Sequence, residues 1–527
     1  MLSLLIALWV QSDPPPPVAV RGATVAVEPG RVLENATVVL RRGLIEAVGV
    51  DIAVPPDARI VDGKGLHVYA GFIDARARFG LPETKQSSDQ VRSREGAPPD
   101  FTRGPLFGMQ DANRRGLRPD LNACEFVAPS ESDTKKWHAA GFAFVVTAAD
   151  EEFLSGTSAL LSLNEGTRRG SILTPRWGMH AAFRASGEGY PRTPMGALAH
   201  VRQFLHDAKA YRERWKDYRA APRGKTRPPF DPSLESILPV LDRKSPLVFE
   251  ADTEIQIHRA LAFASEFEIR LVIEGGGESW KVADRLREVP VLLHLDLPRE
   301  PKPRKKDDRP KRLLEEEKRL WEERVACAHR LAEAKVRFAF ASHGANPSDL
   351  LDHLVKMMAR GLTRDEALAA LTQSAAEILE ASEIGTVEQG KIANLTVLTA
   401  PLGAKKAKVR YVFADGRMFE FDVRKGGAPA EADLTGKWAV TVEPPMKLEA
   451  TLELSQKDAE LSGKLVTDHG ETELTGSVSG KKFSLTGQFH GSAFTVEGEW
   501  KEGKLSGKVS TFMGESEFTA KPEGNHD

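Results

Sequence analysis

The chain has 527 residues, 41% of them hydrophobic and 28% charged, with a formal net charge of −2. That length corresponds to about three domains, and the apolar content is enough for real cores. The near-zero charge excludes a global field for nucleic acid or an anionic membrane surface, and no apolar run is long enough to span a bilayer. Two cysteines, Cys124 and Cys327, have no metal-type spacing. They read as two buried or half-buried thiols, with a disulfide open if the chain is exported.

The first residues, MLSLLIALWVQS, form a short apolar run that ends before Pro14 to Pro17. This reads as a short signal peptide, so residues 1–17 are set apart and export to the periplasm or the exterior is expected. Residues 18–65 alternate apolar and polar positions and carry Gly-containing turns, the pattern of a small β module. Neither this stretch nor the later β stretch at 384–425 has enough apolar surface to fold alone.

From 66 to 383 strands alternate with helices. HVYAGFI (67–73), AFVVTA (143–148), SALLSL (158–163), SPLVFEA (245–251), IRLVIEG (269–275), VPVLLHL (289–295) and VRFAFAS (336–342) are the strand candidates. Amphipathic stretches such as IQIHRALAFASEF and SWKVADRLREV lie between them. Repetition of this kind predicts a parallel sheet with helical crossovers, and there are enough repeats for a closed (β/α)8 barrel. Residues 299–324 are a charged insertion whose second half has helical period, read as a solvated face. KGGAPAEAD is the predicted linker to a last domain, 433–527. There LSGKL, LTGSV, LTGQF, VEGEW and LSGKV recur at hairpin spacing, predicting an antiparallel β-meander or barrel.

DGKGLHVYAGFIDARARFG (62–80), GLTRDEALAALTQSAAEILEASEIGTVEQGKIANLTVL (361–398) and VRYVFADGRMF (409–419) together resemble the opening and closing segments of the amidohydrolase superfamily. YPRTPMGALAHVRQFLHDAKAY and IRLVIEGGGESWKVADRLREVPVLLHL resemble its imidazolonepropionase-like branch in particular. The resemblance covers residues 18–425. It implies an α/β architecture: a TIM-like barrel at 66–383 with a composite β-sandwich from both flanks, to which the C-terminal β domain is appended. It also implies hydrolysis of non-peptide carbon–nitrogen bonds by a divalent metal, zinc being the expected ion, which lowers the pKa of a bound water and polarises a carbonyl.

The family places two histidines, H-x-H, after its first strand. Here those positions are Arg76 and Arg78, and a guanidinium has no lone pair to offer and repels a cation. Asn394 stands where the family's closing ADL motif has aspartate, a structural position. Glu250, Glu274, His294 and His343 lie at the predicted C-terminal ends of later strands, the face where barrel active sites form. Three arrangements follow. Arg76 and Arg78 fill the old metal volume and pair with Glu250 and Glu274. Alternatively, Glu250, Glu274, His294 and His343 hold a metal in a rewired site. In the third, an arginine-lined pocket binds an anion. If the chain is an enzyme, His343, Glu250 and Glu274 are the expected catalytic groups, with Arg76, Arg78 and His180 holding a small substrate; the alternative is a pseudoenzyme that binds an anionic ligand or a partner. His180 reads more readily as a satisfied core or surface histidine, and His258 and His329, on helices, read as structural. Gly275 to Gly277 read as a turn, since no phosphate-loop motif follows.

Overall fold

The computed structural model describes residues 16–82, 116–150, 152–166, 168–183, 193–301, 309–421, 433–443, 448–457, 460–467, 470–489, 492–501, 503–511 and 514–522. The expected signal peptide and the body of the linker lie outside these residues. The chain divides into two compact units, Met1–Phe421 and Asp422–Asp527.

The first unit opens with β1 (Val18–Glu28), β2 (Arg31–Arg41), β3 (Leu44–Gly49), β4 (Arg59–Asp62) and β5 (His67–Ala70). β1 pairs antiparallel with β2, and parallel with both β4 and β5. HVYAGFI is therefore not one strand. It breaks at Gly71, after which β6 (Phe72–Ala77) joins a different sheet. A side chain at Gly71 would put its Cβ 2.7 Å from the Ala143 Cβ, so only glycine lets the chain pass from one sheet to the other here.

β6 pairs in parallel with β7 (Phe142–Thr147). The next segment departs from the expected parallel repeat. SALLSL belongs to a kinked pair, β8 (Leu154–Thr157) and β9 (Ala159–Ser162), bent at buried Ser158. β9 runs antiparallel to β7 and pairs with β10 (Ile172–Thr174). β8 runs antiparallel to β11 (Met179–Ala182). The physical reason is connection length: residues 148–153 are too few for a helical crossover, so the chain must double back. Regularity then returns, with β11, β12 (Leu247–Ala251), β13 (Leu271–Gly275), β14 (Val291–His294) and β15 (Phe338–Ala341) all parallel. Beyond β15, the backbone N–H of His343 donates to the Arg76 carbonyl at 2.9 Å, which ties the end of β15 to β6.

Helices cover these sheets and start where their caps dictate. Thr253 and Gln256 form a capping box on Glu254–Phe267, and Thr363 and Glu366 form one on Arg364–Leu371. SWKVADRLREV yields only a 3-10 segment, Ser279–Arg285, interrupted at Val282. No helix of the described residues is long and apolar enough to cross a membrane.

The chain then returns to the flanking sheet through β16 (Leu395–Leu398), β17 (Val409–Ala414) and β18 (Arg417–Glu420). β16 pairs with β5, so strands from both flanks form one continuous eight-stranded hydrogen-bonded sheet around a shared core that includes Val20, Val25, Leu40, Val68 and Phe413. Asn394 fastens the junction. Its Oδ1 accepts from the Asp415 N–H at 2.6 Å, and its Nδ2 donates to Ser162 Oγ at 3.2 Å and to the Ala143 carbonyl at 3.4 Å. An amide satisfies both needs here, whereas an ionised aspartate could only accept.

The second unit is a closed eight-stranded antiparallel barrel: β19 (Gly436–Val442), β20 (Leu448–Lys457), β21 (Glu460–Thr467), β22 (Gly470–Ser479), β23 (Lys482–Phe489), β24 (Ser492–Lys501), β25 (Lys504–Thr511) and β26 (Gly514–Pro522), with β26 returning to β19. The recurring leucine–x–glycine pattern has a steric cause. Leu461, Leu474, Leu485 and Leu505 are buried, and the glycine two residues later faces the same side. A Cβ at Gly463, Gly476 or Gly507 would lie 1.9–2.1 Å from a carbonyl oxygen of the neighbouring strand. Phe483, Phe494 and Phe518 fill the interior between them.

Candidate functional site

Three residues of β6 and its end, Asp74, Arg76 and Arg78, alternate with alanines and share a side of the strand. Arg76 is among the largest fully buried side chains of the chain, 1% exposed. Its Nε lies 3.0 Å from Glu274 Oε1, its Nη1 donates to the Ala77 carbonyl at 3.0 Å, and its Nη2 is 3.7 Å from Asp150 Oδ2. Glu274 comes from β13 and is 2% exposed. The same Oε1 is 2.9 Å from His343 Nδ1 and 3.7 Å from His294 Nε2, while Oε2 is 3.2 Å from His180 Nδ1. The His294 and His343 rings stack, centroids 4.2 Å apart. His343 holds its place with φ of 52°, a left-handed conformation for a non-glycine residue, fixed by the backbone bond to Arg76.

Electrostatics follow from this packing. Burial alone would raise the Glu274 carboxyl, but the Arg76 guanidinium and the histidine hydrogen bonds outweigh it and hold Glu274 well below the usual range. The ionised carboxylate only accepts, so His180 and His343 present protonated Nδ1 atoms to it. Burial lowers His180 and His294, with Glu274 opposing, so both rings favour the neutral form. Asp74 accepts from Ser342 N at 2.9 Å, Arg76 N at 3.2 Å and Trp137 Nε1 at 3.2 Å. Burial nonetheless pushes it up to about 6.

The site residues expected from the sequence separate as follows. Arg76, His180, Glu274, His294 and His343 converge. Among the described contacts Arg78 meets Asp150 and not Glu250: its Nη1 donates to Asp150 at 2.8 Å and its Nη2 to the Pro82 carbonyl at 3.0 Å. The reason is strand order: β7 is the direct neighbour of β6, with Ala77 opposite Thr147, so Asp150 just beyond β7 is the acid within reach. Glu250 sits beside Glu274 in the β12–β13 register, yet among the described residues the groups in contact with Glu274 are Arg76, His180, His294 and His343. His258 lies on the helix Glu254–Phe267 and His329 on Cys327–Glu333. Both cysteines are free thiols, Cys327 buried and Cys124 half-buried.

Sequence reasoning missed Asp150, Asp252 and Arg324. Arg324 ends the helix Lys311–Val325 inside the charged insertion, which is therefore not only a solvated face. Its Nη1 meets Asp252 at 2.6 Å, and Asp252 also accepts the Gly277 N–H at 2.8 Å. The glycine turn serves this contact: a Cβ at Gly277 would fall 1.2 Å from Arg324 Nη1. Burial would raise Asp252, but the Arg324 charge and hydrogen bond win and lower it. Only the charge run itself hinted at Arg324.

Whether a metal fits turns on Arg76. Ligand atoms of Glu274, His294 and His343 lie within 4.8 Å of one another. However, Arg76 and His343 already crowd Oε1, and an ion bound there would sit about 4 Å from the guanidinium. A divalent charge at that distance costs about 8 kcal/mol at an effective dielectric near 20. The residues present do not fit a metallohydrolase centre. They make an ion-pair and histidine cluster at the C-terminal ends of the strands, where α/β folds bind ligands.

Residues 242–419 match the model of the amidohydrolase family. An amidohydrolase from Thermotoga maritima MSB8 has a similar structure, with a TM-score of 0.62 at 23% identity over 77% of this chain and 100% of that one. This chain thus has the fold of that amidohydrolase. Weaker similarity extends to a Xaa-Pro dipeptidase (TM-score 0.45, 15% identity, 77% of this chain and 100% of that one) and to molinate hydrolase (0.47, 14%, 77% and 95%). No curated protein matches the chain.

Proposed function

We propose that this is a metal-free derivative of a carbon–nitrogen hydrolase, of the imidazolonepropionase-like branch, which binds a small anionic molecule at the C-terminal face of a (β/α)8-type barrel. The observation that carries this is the buried Arg76 guanidinium 3.0 Å from Glu274. It supplies the positive charge that a metal would supply, in fixed form and without a hydration site. Arg76, Arg78 and His180 face the ligand in this reading, and Glu274 orients His180 and His343.

A second reading is favoured by the 2.9 Å contact from Glu274 to His343 Nδ1. That pairing leaves His343 Nε2 with its lone pair, and the side chain is 25% exposed. A carboxylate-oriented imidazole of this kind can take a proton from water, giving slow metal-independent hydrolysis.

Zinc titration separates both readings from a rewired metal site. Wild-type chain should show no rise in melting temperature with zinc, while Arg76→Ala, which frees Glu274, His294 and His343, should gain several degrees. A zinc-dependent rise in wild type that Glu274→Gln abolishes would reject the proposal.

A further inference from the structure

Asp150 lies just beyond β7 and bridges the two arginines that replace H-x-H. One oxygen accepts from Arg78 Nη1 at 2.8 Å, and the other is 3.7 Å from Arg76 Nη2. The Asp150 side chain is 19% exposed and that of Arg78 26%, against 1% for Arg76. His180 feels the charges of both Asp150 and Arg76. Its Nδ1 donates to Glu274, and its buried Nε2, an acceptor in that tautomer, has no hydrogen-bond partner among the described residues. A carboxylate shared by two guanidinia also has the geometry in which arginines recognise a ligand carboxylate.

We propose that Asp150 is the internal occupant of an anion seat formed by Arg76 and Arg78, and that the seat's ligand is a small molecule whose carboxylate exchanges with Asp150. The inference rests on the reading of the site as metal-free and ligand-binding. It goes beyond that reading in naming the ligand's anchoring group and the residue that competes with it. Partly exposed ion pairs are weak, so exchange between two carboxylates needs little driving force.

The test uses the full chain, with acetate, benzoate and inorganic phosphate titrated by calorimetry into wild type, Asp150→Asn, Asp150→Ser and Asp150→Asn/Arg78→Met. Asp150→Asn should bind benzoate at least tenfold more tightly than wild type, and adding Arg78→Met should remove that gain. Equal binding by wild type and both Asp150 variants overturns the proposal. So does a gain that survives loss of Arg78, or a larger gain for phosphate than for benzoate. If Asp150→Asn does not fold, the melting temperature of Asp150→Ser decides: benzoate should raise it more than it raises that of wild type, and equal shifts count against the seat. Elemental analysis of the same samples is an independent readout. A tightly held ion in wild type overturns the metal-free reading, whereas metal-free protein with unaltered anion binding overturns only the role of Asp150.

Discussion

The Nε of Arg76 and the Oε1 of Glu274 meet 3.0 Å apart, with side chains 1% and 3% exposed, at the position where the sequence resemblance places a metal. Removing one partner leaves an uncompensated buried charge. Arg76→Met or Glu274→Gln should each cost about 3–5 kcal/mol in urea unfolding. The double variant Arg76→Met/Glu274→Met should cost far less than the two single changes added together. Additive losses would mean that the two groups do not act as a pair.

Two buried groups give opposing pH dependences. His138 Nε2 donates to the Leu163 carbonyl, 2.8 Å away, the ring packs against Phe419, and burial lowers its pKa to about 4. Its folded pKa lies below the unfolded 6.5, so the stability it contributes is present above 6.5 and lost as pH falls to about 4, about 3 kcal/mol in all. Asp74 is raised to about 6, so the native state takes up its proton first and gains about 3 kcal/mol as pH falls from 6 towards 4. Wild type should therefore change little from these two groups between pH 6.5 and 4. Asp74→Asn should lose stability steeply over that window, and His138→Gln should gain it, measured by urea unfolding at pH 7, 5.5 and 4.5. Parallel pH profiles for all three proteins would contradict the assignment.

Asp74 also predicts an optical signal. Its Oδ2 accepts from Trp137 Nε1 at 3.2 Å, so protonation near pH 6 changes the field on that indole. Tryptophan emission should show a step near pH 6 that disappears in both Asp74→Asn and Trp137→Phe.

In the C-terminal barrel, Gly507→Ala should be far more damaging than Gly503→Ala. The first puts a methyl group 2.0 Å from the Glu497 carbonyl, and backbone must move. The second sits in a turn with φ of 76° and nothing within 4 Å, so it carries backbone strain alone. Thermal unfolding should show a loss of about 3 kcal/mol or more for Gly507→Ala, the upper end of overpacking costs, against about 1 kcal/mol for Gly503→Ala.

The sequence carried the parts of this account that depend on local pattern. Strand period marked β12 to β15, because fully buried parallel strands read as apolar runs, and the L-x-G repeat marked the barrel. Arg76 and Arg78 stood out because their positions are fixed relative to the strand they end. Strand direction was not legible: SALLSL has the same period whether it runs parallel or antiparallel, and only the short connection at 148–153 decides. The sequence offers Glu250 and Glu274 together as partners of Arg76 and Arg78, but which acid a guanidinium reaches depends on which strand is next to it, and for Arg78 that is Asp150 beyond β7. Asp150, Asp252 and Arg324 act from loops and an inserted helix, where spacing in sequence says nothing about distance in space.

The central claim is that a guanidinium has taken the metal's place. The most direct measurement is the metal content of purified full-length protein, produced with zinc, manganese and iron supplied, beside Arg76→His/Arg78→His. Wild-type protein should hold well under one ion per chain, with any gain confined to the double variant. About one tightly held ion per wild-type chain, lost on Glu274→Gln, would contradict it.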